Sequence, residues 1–123
     1  MTNLAELRKP EVRVAHRLGD VAVVSLVGEH DIATAWELRN ALTLALEQGA
    51  YLVVDLSETE FIDSTIIHVL FKSKQLAQEH GRRVSLQLPA AARVRRALEI
   101  TGMLDVLPVY GTRAEAIDAV RPA

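Results

Sequence analysis

Apolar runs of strand length alternate along this chain with segments whose apolar residues recur at helical spacing. Residues 51–56 (YLVVDL) form a nearly continuous apolar run, which is the pattern of a central strand covered by helices. Residues 84–88 repeat that pattern more weakly. A strand, a helix and a second strand in this order form a right-handed crossover unit with parallel strands. The alternation therefore predicts an α/β domain on a mostly parallel sheet.

Four segments have the spacing of amphipathic helices, over residues 32–48, about 64–80, about 90–101 and a last stretch through residue 120. The last segment opens on the capping-box pattern T-R-A-E at residues 112–115. The other three have apolar stripes that predict which side chains face inward. These are Ala35, Leu38, Leu42, Ala45 and Leu46 in the first helix, Ile66, Val69, Leu70, Ser73 and Ala77 in the second, and Val94, Ala97, Leu98 and Thr101 in the third.

The chain begins its domain with a predicted hairpin. Residues 12–14 and 21–27 have strand patterns, and the short turn between them favours antiparallel pairing. Residues 104–110 predict a short last strand. We therefore expect one α/β domain over residues 12–121, with a mixed, mostly parallel sheet of about five strands and about four helices. Residues 1–11 are interpreted as a flexible leader.

The sequence lacks the common motifs of catalytic, nucleotide-binding and metal-binding sites. The chain has 123 residues and no cysteine, which excludes disulfides, thiolate metal sites and a cysteine nucleophile. It lacks a P-loop, a G-x-G-x-x-G loop and a G-x-S-x-G nucleophile elbow, and its four histidines do not have metal-ligand spacing. We therefore expect a protein that is not an enzyme and that uses no cofactor and no metal.

The charge and the apolar runs limit the partners. A net charge of -2 gives no basic surface for nucleic acid, and the local excess at Arg93, Arg95 and Arg96 is interpreted as a solvated helix face. No apolar run approaches the roughly 20 residues of a membrane-spanning helix, and the first residues lack the order of a secretory signal. We expect a cytoplasmic protein with no nucleic-acid partner and no membrane insertion.

Three stretches together resemble the STAS family, which is named for sulfate transporters and anti-sigma factor antagonists. They are residues 28–34 (GEHDIAT), residues 53–56 and 61–65 (VVDL and FIDST), and residues 94–103 (VRRALEITGM). Their order and spacing match the family over about residues 12–121. The resemblance implies the STAS fold and a non-enzymatic regulator of the anti-sigma factor antagonist type.

The resemblance also implies a phosphorylation site. In the bacterial antagonists that this sequence resembles, the serine after the aspartate of a D-S-[ST]-G segment is phosphorylated by an anti-sigma factor with serine-kinase activity. That position is Ser64 here. The unmodified chain is then expected to bind the anti-sigma factor and displace the sigma factor, and phosphorylation to break the complex. Asp31, Asp63 and Thr65 are expected on the same surface.

The physical chemistry of Ser64 agrees with such a switch. Ser64 begins the second predicted helix, where free N–H groups and the helix dipole favour an anion, so a phosphate need not unfold the domain. Phosphorylation adds about -1.5 to -2 charges beside Asp63, which opposes docking of an acidic or apolar partner face. Ile67, Phe71 and Lys74 lie on a second stripe of this helix and, if exposed, add an apolar-basic edge to the docking surface.

Several of these residues have a second interpretation. Asp31, Asp63, Ser64 and Thr65 are of types that cap helix N-termini, where a cap alone contributes about 1 kcal/mol. Ser64 is therefore either the switch or a passive cap or contact residue. Ile67 and Phe71 are helix residues partly under a neighbouring element, and such residues belong to the core more often than to an interface. The sequence leaves these alternatives open.

The chain departs from the family segment D-S-[ST]-G-L-G at two positions, where Ile66 and His68 replace glycines. Bulkier side chains in the first helical turn are expected to obstruct a kinase. The departure favours a second hypothesis, a constitutive scaffold or accessory subunit of a stress-signalling or lipid-transport assembly in which Ser64 is never phosphorylated. A third hypothesis is small-molecule or nucleotide binding by the same fold.

Two further expectations concern surfaces. Trp36 on the first helix is either a surface hot spot or a half-buried packing residue, and packing is favoured. The first strand forms an edge of the predicted sheet that is open to pairing with another chain. We expect a monomer or a weak homodimer.

Overall fold

Six strands and four α-helices make up the part of the chain that the computed structural model describes, residues 9–18 and 20–122. The strands are β1 Glu11–Leu18, β2 Val21–His30, β3 Tyr51–Asp55, β4 Thr59–Ile62, β5 Val84–Gln87 and β6 Val109–Tyr110. The helices are α1 Ile32–Glu47, α2 Ser64–Glu79, α3 Ala92–Ile100 and α4 Arg113–Val120. Most of the predicted leader, residues 1–8, lies outside the described residues. Within the described ranges, no helix has the length and apolar character needed to cross a bilayer.

The strands form one mixed sheet in the order β1-β2-β3-β5-β6, and β4 pairs with the carboxyl end of β2. β1 and β2 are antiparallel, as the predicted hairpin requires, and the other pairs are parallel. The predicted fold class is confirmed. β4 was not predicted from the sequence, because this strand has four residues (TEFI) and contains no apolar run.

Helices cover both faces of the sheet. Alternate residues of a strand point to opposite faces, so neighbouring valines of β2 and β3 belong to two different cores. The larger core joins Val24, Leu52 and Val54 to buried residues of α1, α2 and α3. The smaller core joins Val21, Val23 and Val53 to Ala116, Ile117 and Val120 of α4. Each fully buried leucine or isoleucine stabilises the fold by roughly 1.5–3 kcal/mol.

The predicted inward stripes agree with the structure except at Thr101, while Val69 and Ala97 are half-buried against the larger core. All five residues of the α1 stripe are buried, and so are those of α2 apart from Val69, which is half-buried. In α3 the prediction for Thr101 is wrong. The helix ends at Ile100 and Thr101 is exposed, because its hydroxyl donates to the carbonyl of Ala97 over 2.8 Å and needs no buried partner.

The predicted last strand is mostly a turn. Gly102 adopts a φ of 75°, which ends α3, and Met103–Asp105 follow as one turn of 3₁₀ helix. Met103 and Leu107 are both buried, so the core holds this turn in place. Only Val109–Tyr110 extend the sheet, beside β5. The apolar residues of this segment fill the core from a turn rather than from a strand.

Candidate functional site

Two helices begin side by side at the carboxyl end of the sheet. β2 and β4 run parallel with His30 opposite Ile62, and the N–H of Asp63 donates to the carbonyl of His30 over 3.2 Å. Asp31 and Asp63 therefore leave the same edge of the sheet, each as the last residue before a helix. In open α/β sheets this edge is where ligands bind. The fold thus brings together the two sequence stretches that carry Asp31 and Ser64.

Asp31 and Asp63 cap the helices that follow them. The carboxylate Oδ1 of Asp31 accepts a hydrogen bond from the N–H of Ala33 at 2.9 Å, and Oδ1 of Asp63 accepts one from the N–H of Ile66 at 3.0 Å. The capping interpretation of both aspartates is confirmed, and each cap contributes about 1 kcal/mol. Asp31 is exposed and Asp63 is half-buried. Their contact with a partner stays a prediction.

Ser64 is the first residue of α2, and it is exposed. Its hydroxyl makes no hydrogen bond within the described residues. The backbone N–H groups of Ser64 and Thr65 also lack an acceptor there, as the first groups of a helix do when no side chain reaches them. A free hydroxyl therefore stands beside two free N–H groups at the positive end of the α2 dipole.

The residues around Ser64 differ in how far they shape the surface. Thr65 is half-buried and its side chain makes no hydrogen bond within the described residues, so its capping interpretation is wrong, because Asp63 holds the cap. Ile66 is fully buried and does not reach the surface. The expected obstruction is therefore wrong for Ile66. His68 is exposed, and an obstruction there stays a prediction.

An apolar edge continues from Ser64 along α2. Ser64, Ile67 and Phe71 are spaced by three and four residues, so they follow one another on one face of the helix. Ile67 is half-buried against the larger core, whereas Phe71 is 51% exposed. The core interpretation of Phe71 is wrong, because no described element covers this part of α2. Ser64 thus borders an exposed aromatic surface.

Trp36 is also on the surface, with 69% of its side chain exposed. The expectation that it packs half-buried is wrong. The inward face of α1 is filled by smaller residues such as Leu38 and Leu42, and Trp36 stands at the side of α1 that faces α2.

His30 links α1 and α2, and its role was not predicted from the sequence. The ring is fully buried; its Nε2 donates to the carbonyl of Val27 and its Nδ1 accepts from the hydroxyl of Thr34, both over 2.9 Å. Burial lowers the pKa of His30, so the ring is neutral near pH 7. The side chain joins β2 to the first turn of α1 while its carbonyl holds Asp63. A lone histidine in a sequence carries no signal of these partners.

Arg93 of α3 contacts residues of β2 and β4. Its guanidinium donates to the carbonyl of Glu60, pairs with Glu29 at 3.3 Å and lies 5.7 Å from the centre of the Phe61 ring. Arg93 is exposed, as the interpretation of a solvated helix face requires, and it also ties α3 to the strand that precedes Asp63. The start of α2 is therefore held on both sides.

Comparison with known proteins identifies the family. The sequence profile of the STAS domain matches residues 11–116. The chain belongs to the STAS domain family. The matched region contains both capped helices, Ser64 and the whole sheet.

The relatives of this STAS domain are named as anti-sigma factor antagonists. The anti-sigma-F factor antagonist RsfB of Mycobacterium tuberculosis is 31% identical over 112 residues, which are 89% of this chain and 88% of the relative. An anti-sigma factor antagonist from Mycobacterium paratuberculosis has a solved structure that is 30% identical, covers 94% of this chain and 97% of its own, and superposes with a TM-score of 0.79. This STAS domain is thus of the antagonist type.

SpoIIAA, a cell fate determinant of Bacillus, shares the fold. Its unphosphorylated form is 22% identical, covers 89% of this chain and 95% of its own, and has a TM-score of 0.76. Its phosphorylated form has a TM-score of 0.69 over 90% of this chain and 100% of its own. The comparison shows that both forms of that protein have the fold of this STAS domain.

Proposed function

We propose that this STAS domain is an anti-sigma factor antagonist that works by partner switching in the cytoplasm. The unmodified domain binds an anti-sigma factor with serine-kinase activity, and phosphorylation of Ser64 releases it. One observation carries the proposal: the hydroxyl of Ser64 is exposed and free at the start of α2, beside the capping carboxylate of Asp63. We expect the domain to act as a monomer or a weak homodimer.

The site tolerates a phosphate without unfolding. The free N–H groups of Ser64 and Thr65 and the dipole of the 16-residue α2 favour a negative group at this position. The cap of α2 does not depend on the Ser64 hydroxyl, because Asp63 supplies it. Phosphorylation therefore changes the surface and leaves the helix in place.

The docking surface joins a polar centre to an apolar edge. It comprises Asp31, Asp63, Ser64, Thr65, Ile67 and Phe71. A phosphate adds about -1.5 to -2 charges next to Asp63, so an acidic or apolar partner face meets both repulsion and a desolvation penalty. The name of RsfB and the existence of SpoIIAA in two phosphorylation states support this assignment.

A second candidate function is a constitutive scaffold or accessory subunit in which Ser64 stays unmodified. The observation that favours it is His68, an exposed imidazole one helical turn beyond Ser64 at a position where the family segment has glycine. A side chain there narrows the approach of a kinase to the serine. In this case the same surface binds its partner without a switch.

The test is intact-mass analysis after incubation with ATP and the kinase-type anti-sigma factors of the source organism. We expect a mass gain of one phosphate in the wild-type chain and in Thr65→Ala, and none in Ser64→Ala. Thr65→Ala is the matched control because it removes the neighbouring hydroxyl. Binding of these anti-sigma factors without any mass gain would assign the domain to the constitutive class.

A further inference from the structure

A groove between α1 and α2 lies next to the proposed switch surface. Its volume is about 650 Å³. Small-molecule sites in proteins typically have about 300–1,000 Å³. Thr65 and His68 line the end of the groove nearest to Ser64, while Ser64, Ile67 and Phe71 lie outside it.

The groove walls carry apolar side chains that no described element covers. Ile32 is 73% exposed and Trp36 is 69% exposed, both on α1, and Val69 faces them from α2. Buried Leu42 and Ala35 form the floor. Scattered exposed apolar residues are common on protein surfaces, but a contiguous set along one groove indicates a binding site for an apolar ligand or partner.

Two cations stand on opposite walls of this groove. Arg39 projects from α1 and Lys72 from α2, and neither makes an ion pair or a hydrogen bond with another described residue. Glu79 is the one acidic residue among those that line the groove, and it is the last residue of α2. The part of the groove between Trp36 and Lys72 thus combines apolar walls with unpaired positive charge.

We infer that this groove binds a small amphipathic anion, an apolar chain or ring system that carries one carboxylate or phosphate group. The apolar body packs against Ile32, Trp36 and Val69, where it removes their exposed surface from water. The anionic head lies between Arg39 and Lys72 and supplies the negative charge that these two unpaired cations lack. The inference stands apart from phosphorylation at Ser64, because neither cation belongs to the switch surface.

Trp36 gives the experiment a local reporter, because it is the single tryptophan of the chain. The full chain is titrated with dodecanoate, with dodecyl phosphate and with neutral dodecyl maltoside, each below its critical micelle concentration. We expect both anions to change the Trp36 emission saturably and to bind at least threefold more tightly than the maltoside. The two anions distinguish a carboxylate from a phosphate head. Two-dimensional NMR shifts at Thr43 and Thr65 give a second measure of binding in the groove.

Matched lysines of α2 separate a specific site from general charge attraction. Lys72→Gln is expected to raise the Kd for dodecanoate about threefold to fivefold, as the loss of one exposed ion pair does. Lys74→Gln removes the same charge two residues away, outside the groove, and is expected to leave the Kd unchanged. Arg39→Gln should match Lys72→Gln.

Several results of these titrations would overturn the inference. They are the absence of saturable binding, equal affinity for the neutral amphiphile, and equal effects of Lys72→Gln and Lys74→Gln. If the groove binds an acidic amphipathic helical peptide but does not bind dodecanoate, the inference is also overturned and the groove is assigned to a protein partner instead.

Discussion

The starts of α2 and α4 lie at the same edge of one sheet, on opposite faces, and they differ in how their polar groups are satisfied. At α4 the Thr112 hydroxyl accepts from the N–H of Glu115 at 3.2 Å and donates to the Glu115 carboxylate at 2.9 Å. The next residue, Arg113, pairs with buried Asp55 at 2.8 Å. At α2 the cap is made as well, but Ser64 keeps a free hydroxyl and a free N–H.

This difference separates structural polar groups from groups available to a partner. Burial by itself raises the pKa of Asp55, but the hydrogen bonds from Ser57 and the charge of Arg113 outweigh it and hold that pKa below its ordinary value. The Asp55 carboxylate is therefore committed to holding α4 on the sheet. The Ser64 hydroxyl has no such partner. We therefore expect substitutions at the α4 start to change stability and substitutions at the α2 start to change binding.

The largest expected effect is on stability at the α4 start. Arg113→Ala leaves the Asp55 carboxylate, which is 4% exposed, without its cation. We expect the free energy of unfolding to fall by about 1–3 kcal/mol, measured by urea denaturation. Arg96→Ala, which removes an exposed arginine from α3, is the control and should stay within about 0.5 kcal/mol of wild type. Equal losses in both variants would show that Asp55 does not need its partner.

The next effect is on binding at the α2 start. Ser64→Asp places a negative charge beside Asp63, and we expect the Kd for the kinase-type anti-sigma factor to rise about tenfold, which corresponds to about 1.4 kcal/mol. Ser64→Ala should bind as wild type, and both variants should unfold within about 0.5 kcal/mol of it. Isothermal titration calorimetry and urea denaturation measure the two quantities. A stability loss in Ser64→Asp without a binding loss would remove the contrast between the helix starts.

A smaller effect should distinguish capping from partner contact at Asp31. Asp31→Ala removes the acceptor for the N–H of Ala33 and should cost about 1 kcal/mol of stability. Asp31→Asn keeps an acceptor and removes only the charge, so thermal unfolding should differ by a few tenths of a kcal/mol at most. If the asparagine variant also binds the anti-sigma factor as wild type does, the Asp31 charge is not part of the docking surface.

The smallest effect is the pH dependence contributed by His30. Because burial lowers the pKa of His30, the unfolded chain binds the proton before the folded chain does as the pH falls below 6.5. Stability is therefore full above this pH and decreases below it. His30→Gln should remove that part of the decrease in urea denaturation curves recorded at falling pH. An unchanged pH profile in the variant would show that the buried ring does not contribute.

The sequence predicted most of the framework because burial imposes regular spacing. The α1 stripe and the central strand at residues 51–55 are buried in the core, so the spacing of their apolar residues predicts both elements. β4 was not predicted because a strand of four residues is too short to show a period in its apolar residues. Thr101 was misplaced because a hydroxyl can bond within its own helix instead of facing the core.

The site was predictable only as far as residue types determine it. The aspartate caps follow from local chemistry, and the structure confirms them. The exposure of Trp36 and Phe71 depends on which elements cover α1 and α2, which no local pattern specifies. The bridging role of His30 depends on the pairing of β2 with β4, a contact between segments more than thirty residues apart in the chain.

The most direct test of the switch is the affinity of the kinase-type anti-sigma factor for two forms of the full chain, unmodified and phosphorylated at Ser64. Calorimetry measures both values, and circular dichroism verifies that both forms are folded. We predict that phosphorylation weakens binding at least tenfold while the fold stays the same. Equal affinity of the two folded forms would contradict partner switching at Ser64.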